Sequence, residues 1–528
     1  MKNTALQKKL IDLLEDRFST SESVLVNFSK GEDAYDPISP QAVVFPKTNQ
    51  ELSEVLKLCN EHNTPVVPYG TGTSLEGHAV GNADGITISL EKFDKILAVN
   101  AEDFDCRVQA NVSREQLNEN LKDKGVFFPI DPGANAALGG MTACSASGTM
   151  AVKYGTMRTV VMGLTVVLAN GDIINTGTRA KKSSAGYNLT NLFVGSEGTL
   201  GIITEVQLKL SPIPESIMSA VCQFQDLESA VLTAQEIIQY GVSIARVELL
   251  NKDQIDISIE YSKLENLKSL PTLFYEFHGS ESTNKESIEI VEEISKSHSG
   301  SDFTWATTTE ERNKIWKARH NVYYAVKAQG DNIRVYATDV CVPISNLVEC
   351  IQFAEKEIQN NGLKAPMVGH VGDGNFHVTI VYDPKKDNEY KYIRDFSNKL
   401  INKALELEGT ITGEHGIGLQ KKEYLIKENP LRKEPRNLKK GKVLYRIKAK
   451  RACKFCHGME GLGDGSMSDL QPMPPRNFTC KKYMNEIKDG DLFWVIKEGV
   501  SDSGMPSYKH LSDKKIWQLI HYIRTFSS

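Results

Sequence analysis

No stretch of this chain approaches the roughly 18 consecutive apolar residues that a membrane-spanning helix needs. The longest candidate, Val160 to Ala169, is far too short. A basic excess is also missing: 62 Lys and Arg stand against 67 Asp and Glu, a net charge of −5. Nucleic acid is therefore a poor partner. The nine cysteines are odd in number and scattered, which is not the pattern of a disulfide framework. One tight pair, Cys453 and Cys456, stands out, with Cys480 in the same tail; the other six read as small apolar residues. In Met1 to Thr20 the apolar Leu10, Ile11, Leu13 and Leu14 are interrupted by Asp12, Glu15 and Asp16. That segment reads as an amphipathic helix and neither as a secretory signal nor as a mitochondrial transit peptide. Internal repeats are absent. What is present is a 528-residue chain with 40% hydrophobic residues, enough for about three domains with their own cores.

From Gln41 to about Pro214 strands and helices alternate, with glycine clusters at the joints. Ala42 to Phe45 reads as a strand, Glu51 to Asn60 as a helix with Leu52, Val55, Leu56 and Cys59 on one face, and Thr64 to Pro68 as a returning strand. The glycine-rich stretches are Gly70 to Gly77, Asp131 to Met141, Ser147 to Gly155 and Gly195 to Thr204. Together they suggest a backbone wrapped around something large and polar; each alone reads as an ordinary turn. A second alternating region runs from about Glu215 to Leu425. Composition then changes abruptly: between Arg432 and Lys454 there are eleven Lys or Arg and one acid, Glu434. That run is a solvated linker, or a surface that steers an acidic electron-transfer partner. Near the end Leu511, Ile516, Leu519, Ile520 and Ile523 recur at helical spacing.

Cys453-Lys454-Phe455-Cys456-His457 is C-x-x-C-H, the attachment signature of a c-type haem. Two thiols must reach the two vinyl groups of one porphyrin, and the next residue must offer an imidazole to the iron. Met505, in Ser503-Gly504-Met505-Pro506, is the candidate for the opposite axial position; Met459, Met467 and Met473 are weaker. The competing reading is a redox or zinc pair, but a second Cys/His pair at zinc spacing is missing. The segment from about Leu431 to Ser528 resembles a class I cytochrome c domain.

Pro68-Tyr69-Gly70-Thr71-Gly72-Thr73-Ser74 follows an expected strand. Its glycines let backbone N–H groups approach a diphosphate, and its hydroxyls add donors. Gly77 comes too late for the dinucleotide G-x-G-x-x-G, so a nicotinamide cofactor is disfavoured. This loop, Asp131-Pro132-Gly133, Gly139-Gly140-Met141, Ser147-Gly148 and Gly195-Ser196-Glu197-Gly198-Thr199-Leu200-Gly201 occur in the order seen in FAD-linked oxidases of the vanillyl-alcohol oxidase superfamily. From about Pro37 to Leu425 the chain resembles the D-lactate dehydrogenase and glycolate oxidase branch. The resemblance implies that Pro68 to Ser74 hold the FAD diphosphate. It further implies that Pro132, Gly133, Gly139, Gly140, Ser147, Gly148, Glu197, Gly198 and Ile202 line the rest of the cofactor. Flavin in this branch is generally not covalent; a bond to His78 is the alternative.

Asp373-Gly374, within His370-Val371-Gly372-Asp373-Gly374-Asn375-Phe376-His377, is a two-residue hairpin signal. A turn centred there pairs His370 with His377 on one face, about 5 Å apart. Two imidazoles then converge, and Glu414, in Gly413-Glu414-His415-Gly416, offers a carboxylate. Two His and one carboxylate with an open position suit Zn, Mn or Fe; a structural His pair with a surface Glu is the alternative. By resemblance to FAD-dependent D-2-hydroxy acid dehydrogenases, His370, His377 and Glu414 bind a divalent metal, His415 is the base, and Arg319 holds the substrate carboxylate.

Composition and resemblance divide the chain into an N-terminal helical segment (1–36), a PCMH-type FAD-binding domain (37–215), a substrate and metal domain (216–425), a basic linker (426–440) and a cytochrome c domain (441–528). The expected fold class is α+β: the FAD-binding domain, an α/β cap with an antiparallel sheet, then a small all-α domain. Three cofactors are expected: FAD, haem c and a divalent metal. The expected substrate is a small 2-hydroxy acid, D-lactate before glycolate, with a soluble cytochrome or respiratory acceptor taking the electrons. An electron carrier with an inactive flavin half is the reading from another class. Haem c implies the periplasm or mitochondrial intermembrane space, in tension with the missing export signal. The family usually continues past Lys421 to Leu425 into a closing segment, whereas here the linker begins at once, which puts FAD retention in question.

Overall fold

The computed structural model describes residues 1–263, 267–330, 333–363, 365–425, 435–448, 452–500 and 502–527. They form two compact units, Met1–Lys421 and Lys422–Ser528. Most of the expected basic linker, up to residue 434, lies outside the described residues.

In the first unit, strands Ala42–Val44, Ile86–Ser89 and Val66–Tyr69 lie parallel in that order, with Phe18–Ser19 antiparallel on the far edge. Thr48 caps the helix Asn49–Glu61 by accepting from the Glu51 amide at 3.1 Å. The helix buries Leu52, Val55, Leu56 and Cys59, the face that its spacing predicts. The N-terminal helix is shorter than expected, Thr4–Leu14, and its buried stripe is Leu6, Leu10 and Leu14. Ile11 is 42% exposed. The i, i+4, i+8 set wins because all three residues drop into the core against the Asn49–Glu61 helix, and Glu15, at φ +56°, ends the helix.

A five-stranded antiparallel sheet follows, in the order Ile96–Asn100, Asp105–Gln109, Ile202–Lys209, Val161–Val167, Ile173–Gly177. The run Val160 to Ala169 is thus mainly a central strand, apolar because both its faces are covered. The cap region is one eight-stranded antiparallel sheet. Helices Leu227–Gln239, Glu281–Ser297, Leu347–Asn360 and Asp387–Glu406 each bury one apolar face. At its centre run Arg246–Leu250, Met367–His370 and Asn375–Tyr382.

The expected hairpin exists, but its register is displaced by two residues. His370 pairs with Asn375, and His377 with Val368. The reason is local: the Asp373 amide donates to the His370 carbonyl at 3.0 Å, closing a turn over 370–373, two residues earlier in the chain. Gly374 lies outside it at φ +78°, its carbonyl held by the Val342 amide. A slip of two keeps every side chain on its face. The two imidazoles therefore still meet, diagonally, with ring centroids 5.5 Å apart.

The second unit is helical. Pro435–Val443 crosses Asp513–Arg524, closing a core with Tyr445, Met484, Leu492, Ile516, Leu519 and Ile520. Gly441 makes the crossing possible, since a Cβ there would run into the Gln518 carbonyl.

Candidate active site and cofactor cavity

The strand Val66–Tyr69 ends in the loop Gly70 to Ser74, with Gly72 at φ +71°, a conformation that favours glycine. This loop borders a cavity of about 660 Å³. One wall is Pro68, Tyr69, Gly70, Thr71, Gly72, Thr73 and Ser74 with Pro132, Gly133, Gly139, Gly140, Ser147, Glu197, Gly198 and Ile202. The other carries Arg319, His370, His377, Glu414 and His415. Of the residues expected to line a flavin, Gly148 alone is off the wall. A Cβ on it would lie 2.5 Å from the Asp131 carbonyl, so it serves close backbone packing.

Glu197, at φ +53° in its glycine-rich turn, does more than line a wall. Its carboxylate accepts from the amides of Ile417 at 2.7 Å and Gly418 at 2.8 Å, and lies 2.8 Å from His78 Nε2. Burial pushes its carboxyl up, but His78 and these amides outweigh burial and hold it below the ordinary range. His78 Nδ1 is hydrogen-bonded to Ser74 Oγ, so both nitrogens of that ring face protein partners.

Glu414 stands between the two hairpin histidines. Its Oε1 is 3.2 Å from His370 Nε2 and 3.2 Å from His377 Nε2, and its Oε2 accepts from Ser147 Oγ at 2.7 Å. One ligand atom from each of His370, His377 and Glu414 falls within a 4.8 Å span. The outer ring nitrogens are tied: His370 Nδ1 donates to Glu248 Oε1 at 2.7 Å and His377 Nδ1 to the Thr338 carbonyl at 3.0 Å. Both Nε2 atoms are thereby turned inward, the arrangement that metal-ligating histidines adopt. His377 Nε2 is buried without a hydrogen-bond partner. The donor set, its fixed orientation and this orphaned atom all fit a divalent cation. Burial opposes the charge on His370, but the Glu248 and Glu414 carboxylates prevail and raise its pKa well above the usual value.

Glu248 holds Arg319 as well, accepting from its Nε at 2.6 Å. His415 stacks on His377 at 4.8 Å with 7° between the rings. Burial favours its neutral form, yet the Asp339 carboxylate and Glu76 raise its pKa. Asp339 Oδ2 anchors the whole loop, accepting from Thr412 Oγ1 at 2.6 Å and from the amides of Gly413, Glu414 and His415 at 2.9–3.1 Å. Sequence reasoning missed Glu248, Asp339 and Glu76 as parts of the site. The signal was present for two of them: an acid inside the apolar strand Arg-Val-Glu-Leu-Leu, and another in Ala-Thr-Asp-Val.

In the second unit Cys453 precedes the helical turn Lys454–His457, and the Cys456 and His457 amides both bond back to the Cys453 carbonyl. His457 Nδ1 donates to the Arg476 carbonyl at 2.9 Å and the ring stacks on Phe478 at 4.4 Å. That fixes the tautomer and leaves Nε2 unprotonated, with its lone pair available to a metal. Met505 is half-buried against the core, whereas Met459, Met467 and Met473 are exposed. The nine cysteines form no disulfide with one another.

Residues 40–177 match the family described as FAD binding domain, and 213–433 the one described as FAD linked oxidases, C-terminal domain. A protein of Danio rerio named "Probable D-lactate dehydrogenase, mitochondrial" is 45% identical over 445 residues, 81% of this chain and 89% of the relative. The chain belongs to the FAD-linked D-lactate dehydrogenase (cytochrome) family. The mitochondrial D-lactate dehydrogenase (cytochrome) of Arabidopsis thaliana is 40% identical over 425 residues, 80% of this chain and 75% of that one. Residues 436–523 match the family described as Cytochrome C oxidase, cbb3-type, subunit III, which places a cytochrome c domain after the oxidase region. The solved structure of p-cresol methylhydroxylase shares the fold, with a TM-score of 0.64 at 16% identity over 83% of this chain and 93% of its own. Membership makes the chain an FAD-linked oxidoreductase, and its paired sheets are the PCMH-type FAD-binding fold. Among the described residues no helix is long and apolar enough to cross a membrane.

Proposed function

We propose that this enzyme oxidises D-lactate to pyruvate at FAD and passes the electrons singly through haem c to an external cytochrome or respiratory acceptor. The observation that carries the reading is the convergence of His415, Arg319 and the His370–His377–Glu414 cluster on the cavity that the FAD-loop residues also line. Arg319, held at Nε by Glu248, presents a guanidinium fork that a carboxylate takes bidentately. His415 takes the hydroxyl proton at Nε2, the nitrogen on its Glu414 side. His370, His377 and Glu414 are the residues that would hold a divalent cation; Cys453, Cys456, His457 and Met505 would hold the haem. When bound, FAD accepts the Cα hydride, a divalent cation makes the substrate hydroxyl easier to deprotonate, and haem relays one electron at a time. Val322, Val368 and Ala337 line the same cavity and leave room for a short apolar side chain on the substrate.

The test is an absorption spectrum of the purified protein before and after anaerobic D-lactate, with L-lactate and glycolate as controls. Flavin bleaching followed by reduced haem bands with D-lactate supports the reading. Bleaching by glycolate in preference, or a spectrum without flavin, overturns it.

A further inference from the structure

Glu76 is fully buried, 0% exposed, and is absent from the cavity wall although it follows the flavin loop by two residues. An isolated buried carboxylate is costly, so it must be paired. Its Oε1 lies 2.7 Å from Lys421 Nζ and 3.3 Å from His415 Nδ1. Lys421 is itself buried and lies 3.3 Å from Asp339 Oδ2, so the charges compensate one another. The main chain repeats the connection: the Glu76 carbonyl accepts from the amides of Leu419 at 2.8 Å and Gln420 at 3.1 Å. Gly418, at φ +49°, packs so closely that a Cβ there would lie 2.7 Å from the Glu76 carbonyl carbon.

Resting on the reading of His415 as the base, we infer that Glu76 is its positioning residue. The Glu76 carboxylate accepts from Nδ1–H, selects that tautomer and fixes the ring, so that the Nε2 lone pair is the one aimed at the substrate hydroxyl. Nε2 of that ring lies 4.0 Å from Glu414 Oε1, at the edge of the candidate cation site. Because Glu76 belongs to the same segment as the diphosphate loop, one buried carboxylate ties the loop that holds the cofactor to the loop that carries the base. The logic is that of the carboxylate in a Ser-His-Asp triad, which orients an imidazole without contacting substrate.

The test is anaerobic stopped-flow flavin bleaching by D-lactate in the FAD-loaded Glu76→Gln variant, beside Glu76→Asp and His415→Asn. Expected for E76Q is a limiting rate lower by about 10- to 100-fold, typical for loss of an orienting partner, at an unchanged half-saturating concentration. E76D should recover part of that rate. In histidine-labelled protein, the 15N signal of an unprotonated His415 Nε2, assigned by its disappearance in H415N, should weaken in E76Q without any substrate. A wild-type rate in E76Q, or a loss confined to substrate affinity, overturns the inference. If E76Q does not retain FAD, E76D becomes the deciding variant, with a reduced rate expected and a wild-type rate overturning. If H415N bleaches normally, the base assignment itself falls; if only H415N is impaired, the Glu76 assignment alone falls.

Discussion

Glu248 and His370 face each other as a directly opposed cross-strand pair, joined by a 2.7 Å hydrogen bond in the middle of the cap sheet. The other Glu248 oxygen is 2.6 Å from Arg319 Nε. One buried carboxylate thus orients both a candidate metal ligand and the candidate carboxylate receptor. Replacing it by Gln should lower cation affinity and D-lactate turnover together, each by about 10- to 100-fold. Metal analysis of the purified variant and steady-state kinetics check this; normal metal content with normal turnover would falsify the assignment.

Chelator treatment followed by gel filtration should leave FAD bound and abolish bleaching by D-lactate. Added Zn or Mn should restore it, because His370, His377 and Glu414 keep their orientation through Glu248, Thr338 and Ser147. In His377→Ala restoration should fail. Full activity after exhaustive chelation would leave the cluster a structural one.

Asp339 receives one hydroxyl and three amides of the loop that carries Glu414 and His415. Asp339→Asn cannot accept all of them and leaves buried Lys421 with only Glu76. Breaking a buried pair costs about 3–5 kcal/mol, so chemical denaturation monitored by flavin fluorescence should show a loss of that size. A shift below about 1 kcal/mol would mean that the loop is held elsewhere.

Glu197 supplies the pH-sensitive tie. Its folded pKa lies below the ordinary value of 4.5, so its contribution to stability is full above that value. Acidification through the lower folded pKa protonates it and removes that contribution. Thermal unfolding and FAD release should therefore steepen as pH falls below about 4.5, and Glu197→Gln should flatten that part of the profile.

For the C-terminal unit, Cys453→Ala with Cys456→Ala should abolish covalent haem while flavin bleaching by D-lactate persists. A pyridine haemochrome assay after acid extraction reads the first outcome, and the flavin spectrum the second. Covalent haem surviving in the double variant would remove the C-x-x-C-H assignment.

Local chemistry was legible before any fold. C-x-x-C-H, the glycine loops and the two His-containing motifs depend on residue type and short spacing, which the chain carries within a few positions. The Asn49–Glu61 helix face and the central apolar strand were readable for the same reason, since periodicity of 3.6 or continuous burial is a local property. The hairpin shows the boundary of such reading: His370 and His377 share a face as their parity demands, but the two-residue displacement depended on which amide closed the turn. The N-terminal stripe similarly followed what the core could bury, not the densest run of leucines.

Residue type and short spacing were enough to say which chemistry is available: thiols and an imidazole for haem, backbone donors for a diphosphate, histidines and a carboxylate for a cation and a proton. What orients that chemistry came from long-range packing. Glu248, Asp339, Glu76 and Lys421 lie far from their partners along the chain, and buried charges find one another through the packing of sheets and loops that no local spacing encodes.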